Sequence, residues 1–500
     1  MKNILLFGAG KSSTVLIDYL KKITTERNWT ATIADANHHQ VTAKTNNHKH
    51  LNAVEIDIND ASKRGELIKQ ADIVISLMPP SLHILIAKDC ITFKKNLLTA
   101  SYIDESTKAL AKDIEANDVL FLYEMGLDPG IDHMSAMQLI HKLKANGEII
   151  TKFMSHCGGL VAKESDDNPF HYKISWNPRN VIMAGKEGAT FMDSYQLIHL
   201  SYEELFAKLH KVITPTSEEF GFYPNRDSLS YINLYDVPTV SQFIRTTLRH
   251  PDFLIGWKNI LYYKLTDEKK IYQTDGMTLE QFFKAHIKVI GLVDWIDHLM
   301  KEKMQEIDIN MNNLMSKMEY NETTKEMEVT FVDDEGVLLT LNKEGIEQYA
   351  LKSLITSKND SFKIKLEQLR YLGIADDETF INKGLCSAAD VLQFILETKL
   401  SLLPKDKDRV VMLHEIETNK DGIIKEYKSL LDLNGEDNIN TAMAKTVGLP
   451  LGIAATLILD GIIKTKGLQI PIVPEIYNPV LTTLEAEGVV FKEFEQEKKK

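Results

Sequence analysis

The sequence predicts an α/β protein whose N-terminal part is a Rossmann-type parallel sheet. Three observations support this fold class. The apolar segment Ile4–Phe7 runs into Gly8-Ala9-Gly10, a helical pattern follows at once, and apolar and helical segments alternate as far as about residue 125. Strands of a parallel sheet give such apolar runs because helices bury both of their faces. A strand that turns on glycines into a helix also forms an anion site, since the first helical N–H groups are unpaired.

The N-terminal alternation predicts six strands with helices between them, three of which show a clear helical pattern. The predicted strands are Ile4–Phe7, Ala31–Ala34, Ala53–Ile56, Asp72–Leu77, Asn96–Thr99 and Val119–Tyr123. The predicted helices are Thr14–Lys22, Leu82–Phe93 and Glu105–Asn117. Because ligands of open parallel sheets bind at the carboxyl ends of the strands, function is expected in the loops that follow them. These loops begin at Gly8, Asp35, Leu77, Ala100 and Glu124.

The rest of the chain predicts a second α/β domain with an open mixed sheet and a helical insert. A strand is predicted at Thr151–Cys157, residues 200–325 read as mainly helical, and a β pattern returns at Glu326–Leu341. A hairpin then turns at Asn419-Lys420-Asp421-Gly422 before a helix over Ala442–Leu459. The predicted domains are residues 1–130 for dinucleotide binding, 131–200 with 325–440 for substrate binding, and 200–325 for the helical subdomain. Helices in about 441–500 are expected to pack back on the first domain.

Composition indicates a soluble globular protein rather than a nucleic-acid or membrane protein. The net charge is −13, and Lys498–Lys500 is the one basic cluster, which argues against a nucleic-acid partner. No signal peptide and no apolar run of about 18 residues is apparent, so no membrane span is expected. The three cysteines are widely spaced, as in proteins of the reducing cytoplasm, and no histidine or cysteine pair has metal-ligand spacing. We therefore expect a cytoplasmic protein without a metal.

The first two loops indicate a nicotinamide dinucleotide. Gly8 and Gly10 let a pyrophosphate approach the backbone, and Ser13 stands where a third small residue is usual. Asp35, about 25 residues further on, can accept hydrogen bonds from the ribose hydroxyls and would repel a 2′-phosphate. This pattern favours NAD over NADP, with NADP still possible. The alternatives are an ordinary strand-to-helix turn and an aspartate that only caps a loop.

Further strings occur in one order along nearly the whole chain. They are ISLMPPSLH (75–83), TASYI (99–103), GLDPGIDHM (126–134), CGGL (157–160), DNPFHYKISW (167–176), YPNRDS (223–228), TLR (247–249) and AMAKTVGLP (442–450). Together they resemble the saccharopine dehydrogenase (L-glutamate-forming), or saccharopine reductase, family. The resemblance implies an oxidoreductase of lysine metabolism that interconverts saccharopine with L-glutamate and 2-aminoadipate 6-semialdehyde, using NAD or NADP. It also implies a homodimer.

The resemblance carries site roles onto matching residues. The catalytic candidates are Tyr102, Asp128 and Cys157. The substrate-binding candidates are Ser101, Tyr102, Asp128, Arg226, Thr247, Leu248 and Arg249. The cofactor-binding candidates are Gly8, Gly10, Lys11, Ser12, Ser13, Asp35, Leu77, Leu127, Asp128, Pro129 and Ser175.

These roles fit the chemistry, although each residue also has a structural alternative. Saccharopine bears three carboxylates, which an acidic chain must bind with local cations such as Arg226 and Arg249. Either arginine could instead form a surface ion pair with an acid such as Asp227 or Asp252. Tyr102, Asp128, Cys157 and bound water all remain open as the proton-transfer group, and a thiol nucleophile is not needed.

Two other functions remain compatible with the sequence. The first is a related dehydrogenase that acts on another secondary amine, as carboxynorspermidine dehydrogenases do. The second is a dinucleotide-binding sensor without turnover. The joint presence of Tyr102, Asp128, Arg226 and Arg249 argues against the sensor.

Overall fold

The chain forms two compact units in a computed structural model that describes residues 1–293, 295–332, 336–346, 348–349 and 361–497. The first unit comprises Met1–Asp167, His171–Leu254 and Leu396–Lys500. The second comprises Asn168–Phe170 and Ile255–Ile395. All the sites discussed below lie in the first unit.

The first unit contains a parallel sheet of seven strands, which confirms the predicted N-terminal architecture. Its strands are β1 (Asn3–Phe7), β2 (Thr30–Asp35), β3 (Leu51–Glu55), β4 (Ile73–Ser76), β5 (Asn96–Thr99), β6 (Leu120–Leu122) and β21 (Gly467–Gln469). Their spatial order is β21-β6-β5-β4-β1-β2-β3. The order reverses between β1 and β4, and such a switch point is where doubly wound sheets bind ligands.

Helices connect these strands on both faces of the sheet. They are α1 (Thr14–Arg27), α2 (His38–Thr45), α3 (Ala61–Gln70), α4 (His83–Thr92), α5 (Glu105–Lys108) and α6 (Ala111–Ala116). The apolar run of β1 has a direct cause. Ile4 and Leu6 pack into one hydrophobic cluster, while Leu5 and Phe7 pack into another. Both faces of the strand are therefore buried.

Two details of this sheet differ from the sequence prediction. The helix predicted over Glu105–Asn117 is two short helices, α5 and α6. Strand β21 was not predicted. It has three residues and pairs in parallel with β6, so it depends on a tertiary neighbour rather than on a local apolar pattern.

A mixed sheet of ten strands forms the remainder of the first unit, as predicted for the second domain. Its main path runs β10-β11-β13-β7-β19-β20-β22, and β8, β9 and β12 lie off this path. The strands are β7 (Ile149–Val161), β8 (Ala189–Asp193), β9 (Gln196–Leu200), β10 (His210–Ile213), β11 (Glu219–Pro224), β12 (Arg226–Asp227), β13 (Gln242–Arg249), β19 (Asp408–Lys420), β20 (Ile423–Asn434) and β22 (Phe491–Glu497). The predicted hairpin is β19–β20, with the turn at Asp421-Gly422.

The mainly helical reading of residues 200–325 was wrong in its first half. Strands β10 to β13 lie there and belong to the mixed sheet. The sequence of β13, QFIRTTLR, places Arg245 and Arg249 inside the protein. Charged residues usually mark solvent-facing positions, so a strand that buries two arginines does not show the expected apolar alternation.

The described residues of the first unit contain six further helices. They are α7 (Ile131–Ala145), α8 (Pro178–Met183), α9 (Tyr202–Leu205), α10 (Ser230–Leu234), α16 (Ala442–Leu459) and α17 (Pro474–Ala486). Helix α16 is long and apolar enough, by length and composition, to cross a membrane, which the sequence reading overlooked. However, 72% of this helix is buried inside the protein. Its Gly452 faces α1 so closely that a Cβ there would lie 2.7 Å from Leu16 and from Tyr19. These are the contacts of a core helix.

The second unit contains helices and short strands. Its helical residues come from α11 (Pro251–Tyr262), α12 (Leu279–Val289), α13 (Trp295–Met315), α14 (Ser361–Leu372) and α15 (Ala388–Lys399). Its strands are β14 (Tyr272–Gln273), β15 (Glu319–Asn321), β16 (Glu326–Val332), β17 (Leu338–Asn342) and β18 (Leu385–Cys386). The β pattern predicted at Glu326–Leu341 forms a small sheet of β15, β16 and β17 instead of rejoining the mixed sheet. Residues 333–335 of that span, and the basic cluster Lys498–Lys500, lie outside the described residues.

Candidate active site

The glycine turn after β1 touches the loops after β2 and β4. Gly8 has φ +103°, and a Cβ on it would lie 2.9 Å from the carbonyl oxygen of Leu77, so this position favours glycine. The backbone N–H of Ala9 donates to the Asp35 carboxylate over 2.7 Å. A Cβ on Gly10 would meet nothing within 4 Å. The structure thus places Gly8, Gly10, Asp35 and Leu77 around one open turn, as predicted for a cofactor loop.

Residues Lys11, Ser12 and Ser13 form a short 3-10 turn that leads into α1. Ser13 is buried, and both its N–H (3.1 Å) and its hydroxyl (2.8 Å) donate to the carbonyl oxygen of Gly10. Ser13 therefore closes the turn from inside, as the third small residue of a dinucleotide loop does. Its hydroxyl proton is committed to Gly10.

A cavity of about 720 Å³ lies beside this turn and brings Lys11 together with Ser175, a cofactor candidate from a distant part of the chain. Lys44 also lines it and donates to the carbonyl oxygen of Gly10 over 2.5 Å and to Thr14 Oγ1 over 2.9 Å. Burial lowers the pKa of Lys44 to about 8. The cavity walls therefore offer ammonium groups and hydroxyls to an anionic ligand.

The centre of the polar cluster in the mixed sheet is Arg245, on β13, whose side chain is 1% exposed. Its Nη2 donates to Asp128 Oδ1 over 2.6 Å, to Asp132 Oδ2 over 2.8 Å and to the Tyr102 hydroxyl over 3.2 Å. Its Nε and Nη1 are buried and have no hydrogen-bond partner among the described residues. One guanidinium group thus binds two carboxylates, and its Nε and Nη1 N–H groups remain available to a further acceptor.

Tyr102 connects this cluster to Arg226. The Tyr102 hydroxyl donates to Asp128 Oδ1 over 3.2 Å. The guanidinium carbons of Arg226 and Arg245 lie 5.2 and 5.8 Å from the centre of its ring, within cation–π range. Burial raises the pKa of Tyr102 well above its usual value, so the group is a neutral phenol. Arg226 also pairs with Glu187 over 2.9 Å, and both side chains are more than half exposed. The surface ion pair is therefore present, but with a different acid from those expected.

The two carboxylates of the cluster titrate in opposite directions. Burial raises the pKa of Asp128, although the Arg245 charge opposes this. Burial acts in the same sense on Asp132, but the charges of His133 and Arg245 and a 2.6 Å bond from the Gly130 N–H outweigh it and lower the pKa of Asp132. Neighbouring groups with pKa values pushed apart are typical of acid–base sites. Asp132 lies in the first turn of α7, and Gly130 is the N-cap of that helix.

A buried hydrogen-bond network extends the cluster. His133 is fully buried; its Nδ1 lies 2.6 Å from the Tyr235 hydroxyl and its Nε2 lies 2.8 Å from Glu124 Oε2. Tyr231 donates to the same Glu124 oxygen over 3.0 Å. Both ring nitrogens of His133 are therefore occupied, as in a structural histidine. Glu124 follows β6, where a functional loop was predicted to begin.

Cys157 lies on β7 directly beside Thr247 of β13. The thiol is buried, and burial raises the pKa of Cys157 well above its usual value. The charges of Asp128 and Asp132 act in the same sense. A thiol that stays protonated is a poor nucleophile and a poor base. The geometry therefore favours the alternative that Cys157 lines the site.

Arg249 is buried two residues beyond Thr247, on the same face of β13. Its Nη1 donates to the carbonyl oxygen of Leu248 over 2.8 Å, and its Nε has no hydrogen-bond partner among the described residues. Its guanidinium carbon lies 5.1 Å from the Tyr172 ring and 5.4 Å from the Phe253 ring. Arg249 therefore has an aromatic setting rather than the surface ion pair that was its structural alternative.

The remaining candidates hold the loops in place. Ser101 Oγ lies 2.8 Å from His83 Nε2, and burial lowers the pKa of His83 to about 4, so the imidazole is neutral. Leu127 is buried beside Asp128. Pro129 follows Asp128 through a cis peptide bond, and its carbonyl oxygen accepts a hydrogen bond from the Gly126 N–H, which closes the turn between these residues.

The main residue that sequence reasoning missed is Arg245. Residues 245, 247 and 249 of one strand share a face, because side chains alternate along a strand. Once Thr247 and Arg249 are assigned to a site, this period of two indicates Arg245 as the next member. The signal was present but depended on recognising β13 as a strand.

Two family models match the chain. The saccharopine dehydrogenase NADP binding domain matches residues 4–122, and the saccharopine dehydrogenase C-terminal domain matches residues 126–489. Together they cover nearly the whole sequence, and the second alone covers more than half.

Relatives of two kinds resemble the chain in sequence. The Saccharomyces cerevisiae saccharopine dehydrogenase [NADP(+), L-glutamate-forming] is 30% identical over 495 residues, which cover 98% of this chain and 99% of the relative. The Bos taurus mitochondrial alpha-aminoadipic semialdehyde synthase is 31% identical over 496 residues, which cover 98% of this chain and 47% of the relative. The chain therefore spans about half the length of that longer relative.

Solved structures share the fold. The apo saccharopine dehydrogenase (L-Glu forming) from Saccharomyces cerevisiae superposes with a TM-score of 0.78 at 26% identity, covering 99% of this chain and all of the other. The homospermidine synthase from Legionella pneumophila, in complex with NAD, gives a TM-score of 0.53 at 9% identity over 99% of this chain and 92% of the other. The second likeness concerns the fold alone.

Proposed function

Since the chain belongs to the saccharopine dehydrogenase family, we propose that it oxidises saccharopine to L-glutamate and 2-aminoadipate 6-semialdehyde, and catalyses the reverse reaction, with a nicotinamide dinucleotide. The observation that carries the proposal is the cluster of Tyr102, Asp128 and Arg245, with Arg226 stacked on the tyrosine. It combines a carboxylate of raised pKa with cations suited to a substrate that bears three carboxylates.

The residues after β1 suit a dinucleotide. Gly8 and Gly10 leave the turn without side chains, and α1 begins directly after it. The unpaired N–H groups of a helix start and the ammonium groups of Lys11 and Lys44 complement phosphate charge. When bound, the cofactor supplies a hydride acceptor or donor. Ser175, which also lines the cavity, is proposed to contact it as well.

Oxidation of the secondary amine removes a hydride from carbon and a proton from nitrogen, which leaves an imine. Water then adds to the imine carbon, the C–N bond breaks, and the departing amino group of glutamate takes up a proton. We assign the proton transfers to Asp128, because burial raises its pKa and so makes the carboxylate a stronger base than an ordinary aspartate. Tyr102 stays a neutral donor to Asp128, and Arg245 holds the carboxylate in place.

The three arginines are proposed to bind the substrate carboxylates. The guanidinium group of Arg226 lies over the Tyr102 ring, and its side chain is partly exposed. Arg249 and Arg245 are buried, and among the described residues two guanidinium nitrogens of Arg245 and one of Arg249 have no hydrogen-bond partner. Buried donors without partners are rare because they cost free energy, and a bound carboxylate would satisfy them.

Replacing Arg249 with alanine should raise the KM for saccharopine about tenfold or more and leave the KM for the cofactor unchanged. A hydrogen bond between charged groups contributes about 1.5–3 kcal/mol, and here it would be lost only with the substrate. Initial rates at varied saccharopine and then at varied cofactor measure both constants. Equal increases in the two KM values would contradict the assignment.

Asp35 predicts a preference for NAD, whereas the names of the matching domain and of the yeast relative contain NADP and do not support that preference. The preference remains our prediction, and Asp35→Asn tests it. Asparagine can still accept the bond from Ala9 but no longer repels a 2′-phosphate. We expect the ratio of kcat/KM for NADP to that for NAD to rise about fivefold to tenfold, since about 1 kcal/mol of repulsion is removed. An unchanged ratio would show that Asp35 does not determine the cofactor preference.

The direct test incubates the full chain with saccharopine and with each cofactor in turn, and follows the absorbance of reduced cofactor and the release of glutamate. Reduction with either cofactor supports the proposal. No reduction despite measurable cofactor binding would favour the sensor, and turnover of carboxynorspermidine but not of saccharopine would favour the related dehydrogenase. The predicted homodimer and cytoplasmic location are separate questions, which light scattering and localisation in cells address.

A further inference from the structure

A cluster of histidines and aspartates lies on the loop after β7 and at the junction of β13 and α11. His171 Nε2 lies 3.4 Å from Asp252 Oδ2, and His250 Nδ1 lies 3.9 Å from the same oxygen. All three ligand atoms lie within 4.8 Å of one another. The side chains of His171, His250 and Asp252 are 33%, 41% and 26% exposed, so a small ion can reach them.

We propose that His171, His250 and Asp252 bind a Zn²⁺ ion, with water in the fourth position. Bonds of about 2.05 Å at the tetrahedral angle separate two ligand atoms by about 3.3 Å. The distance from His171 to Asp252 already matches this value, and the distance from His250 to Asp252 exceeds it by about half an ångström. Two imidazoles and one carboxylate are a donor set that Zn²⁺ prefers.

A second carboxylate supports the proposed site from outside. Asp166 Oδ2 lies 2.7 Å from His171 Nδ1 and accepts its N–H, which directs Nε2 toward Asp252. Histidine ligands of zinc usually donate their other ring N–H to a carboxylate in this way. Asp166 and Asp252 together also balance the two charges of the ion.

Two contacts of the histidine ring nitrogens must break before a metal ion can bind to those nitrogens. His171 Nε2 is in hydrogen-bond contact with Asp252, and the backbone N–H of Asp252 donates to His250 Nδ1 over 3.2 Å. Because both partners of His171 are carboxylates, its Nε2 carries a proton, and the ion would release that proton to solvent and form bonds to His171 Nε2 and His250 Nδ1 in place of the two contacts. The sequence predicted no metal because no histidine pair shows ligand spacing, but β7 and β13 pair in one sheet and bring the two segments together.

The site lies next to the proposed substrate residues. His250 directly follows Arg249, and His171 precedes Tyr172, the ring that packs on the Arg249 guanidinium. A bound ion would tie these two segments together and fix the aromatic setting of Arg249. Metal binding itself does not rest on the proposed reaction and is measurable without turnover.

The test titrates the full chain, freed of metal by a chelator, with Co²⁺ and then with Zn²⁺. Tetrahedral Co²⁺ has a visible d–d absorption that Zn²⁺ displaces, and elemental analysis gives the stoichiometry. We expect one ion per chain, loss of the absorption in His171→Ala and His250→Ala, and about 10–100-fold weaker binding in Asp166→Asn. The matched control is His199→Ala, a solvent-exposed histidine paired with Thr190 outside the cluster.

Absorption that fails to saturate at one ion, or that persists in both histidine variants, would overturn the proposal. Asp166→Asn keeps all three proposed ligands. Weaker metal binding in this variant would therefore come from loss of the supporting carboxylate and not from misfolding, which could explain a loss in the alanine variants. Circular dichroism of each variant checks the fold. Equal losses in His199→Ala and His250→Ala would assign the signal to adventitious surface histidines.

Discussion

Replacing Arg245 with methionine should destabilise the protein by about 3–5 kcal/mol and lower kcat/KM for saccharopine by at least a hundredfold. The stability loss follows because Asp128 and Asp132 would remain buried beside an apolar side chain, and an uncompensated buried charge costs about that much. The activity loss follows because Asp128 would lose the group that holds it against Tyr102. Denaturant titration measures the first effect, and initial rates measure the second.

Two variants separate these effects. Arg226→Met removes an arginine whose ion pair with Glu187 is mostly exposed, so it should change the free energy of unfolding by less than about 1 kcal/mol. The double variant Arg245→Met/Asp132→Asn should recover part of the lost stability, because one stranded carboxylate becomes neutral. If Arg245→Met is as stable as Arg226→Met, the buried ion-pair cluster does not exist in solution.

The predictability of the fold follows from how each element is stabilised. Strands β1, β2, β4, β5 and β6 were predicted because both faces are buried, and their sequences are therefore mostly apolar whatever lies next to them. The hairpin β19–β20 was predicted from its Asp421-Gly422 turn, which is a local signal. Strand β21 depends on pairing with β6, and β13 buries charged side chains, so neither shows a local pattern.

The site was predictable only in part for a related reason. Tyr102, Asp128, Cys157 and Arg249 were found through strings that resemble a family, and the structure places them around the cluster or beside it. Arg245 lies outside those strings. Its role depends on Asp128 and Asp132, which are more than 110 residues away in sequence.

The same limit applies to the proposed metal site. His171 and His250 are 79 residues apart, and spacing along the chain says nothing about such a pair. Only the pairing of β7 with β13 brings them to neighbouring loops. Buried charge and long-range pairing are therefore the two features that the sequence did not reveal.

Replacing Asp128 with asparagine should lower kcat about 10²–10⁴-fold, the usual contribution of a general acid–base group. Asparagine still accepts bonds from Arg245 and Tyr102, so the fold and the KM for saccharopine should change little. The base must be ionised to accept the amine proton. The kcat/KM of the unchanged protein should therefore fall as the pH drops through the raised pKa of Asp128.

The pH profile distinguishes this role from a structural one. In Asp128→Asn the acidic limb should disappear, because the group that titrates is gone, while the residual rate becomes independent of pH in that range. Tyr102→Phe is the matched control: it removes one bond to Asp128 but keeps the carboxylate, so the limb should persist. Loss of this bond should raise the apparent pKa, since the hydroxyl favours the ionised form. An acidic limb that survives unchanged in Asp128→Asn would place the base elsewhere.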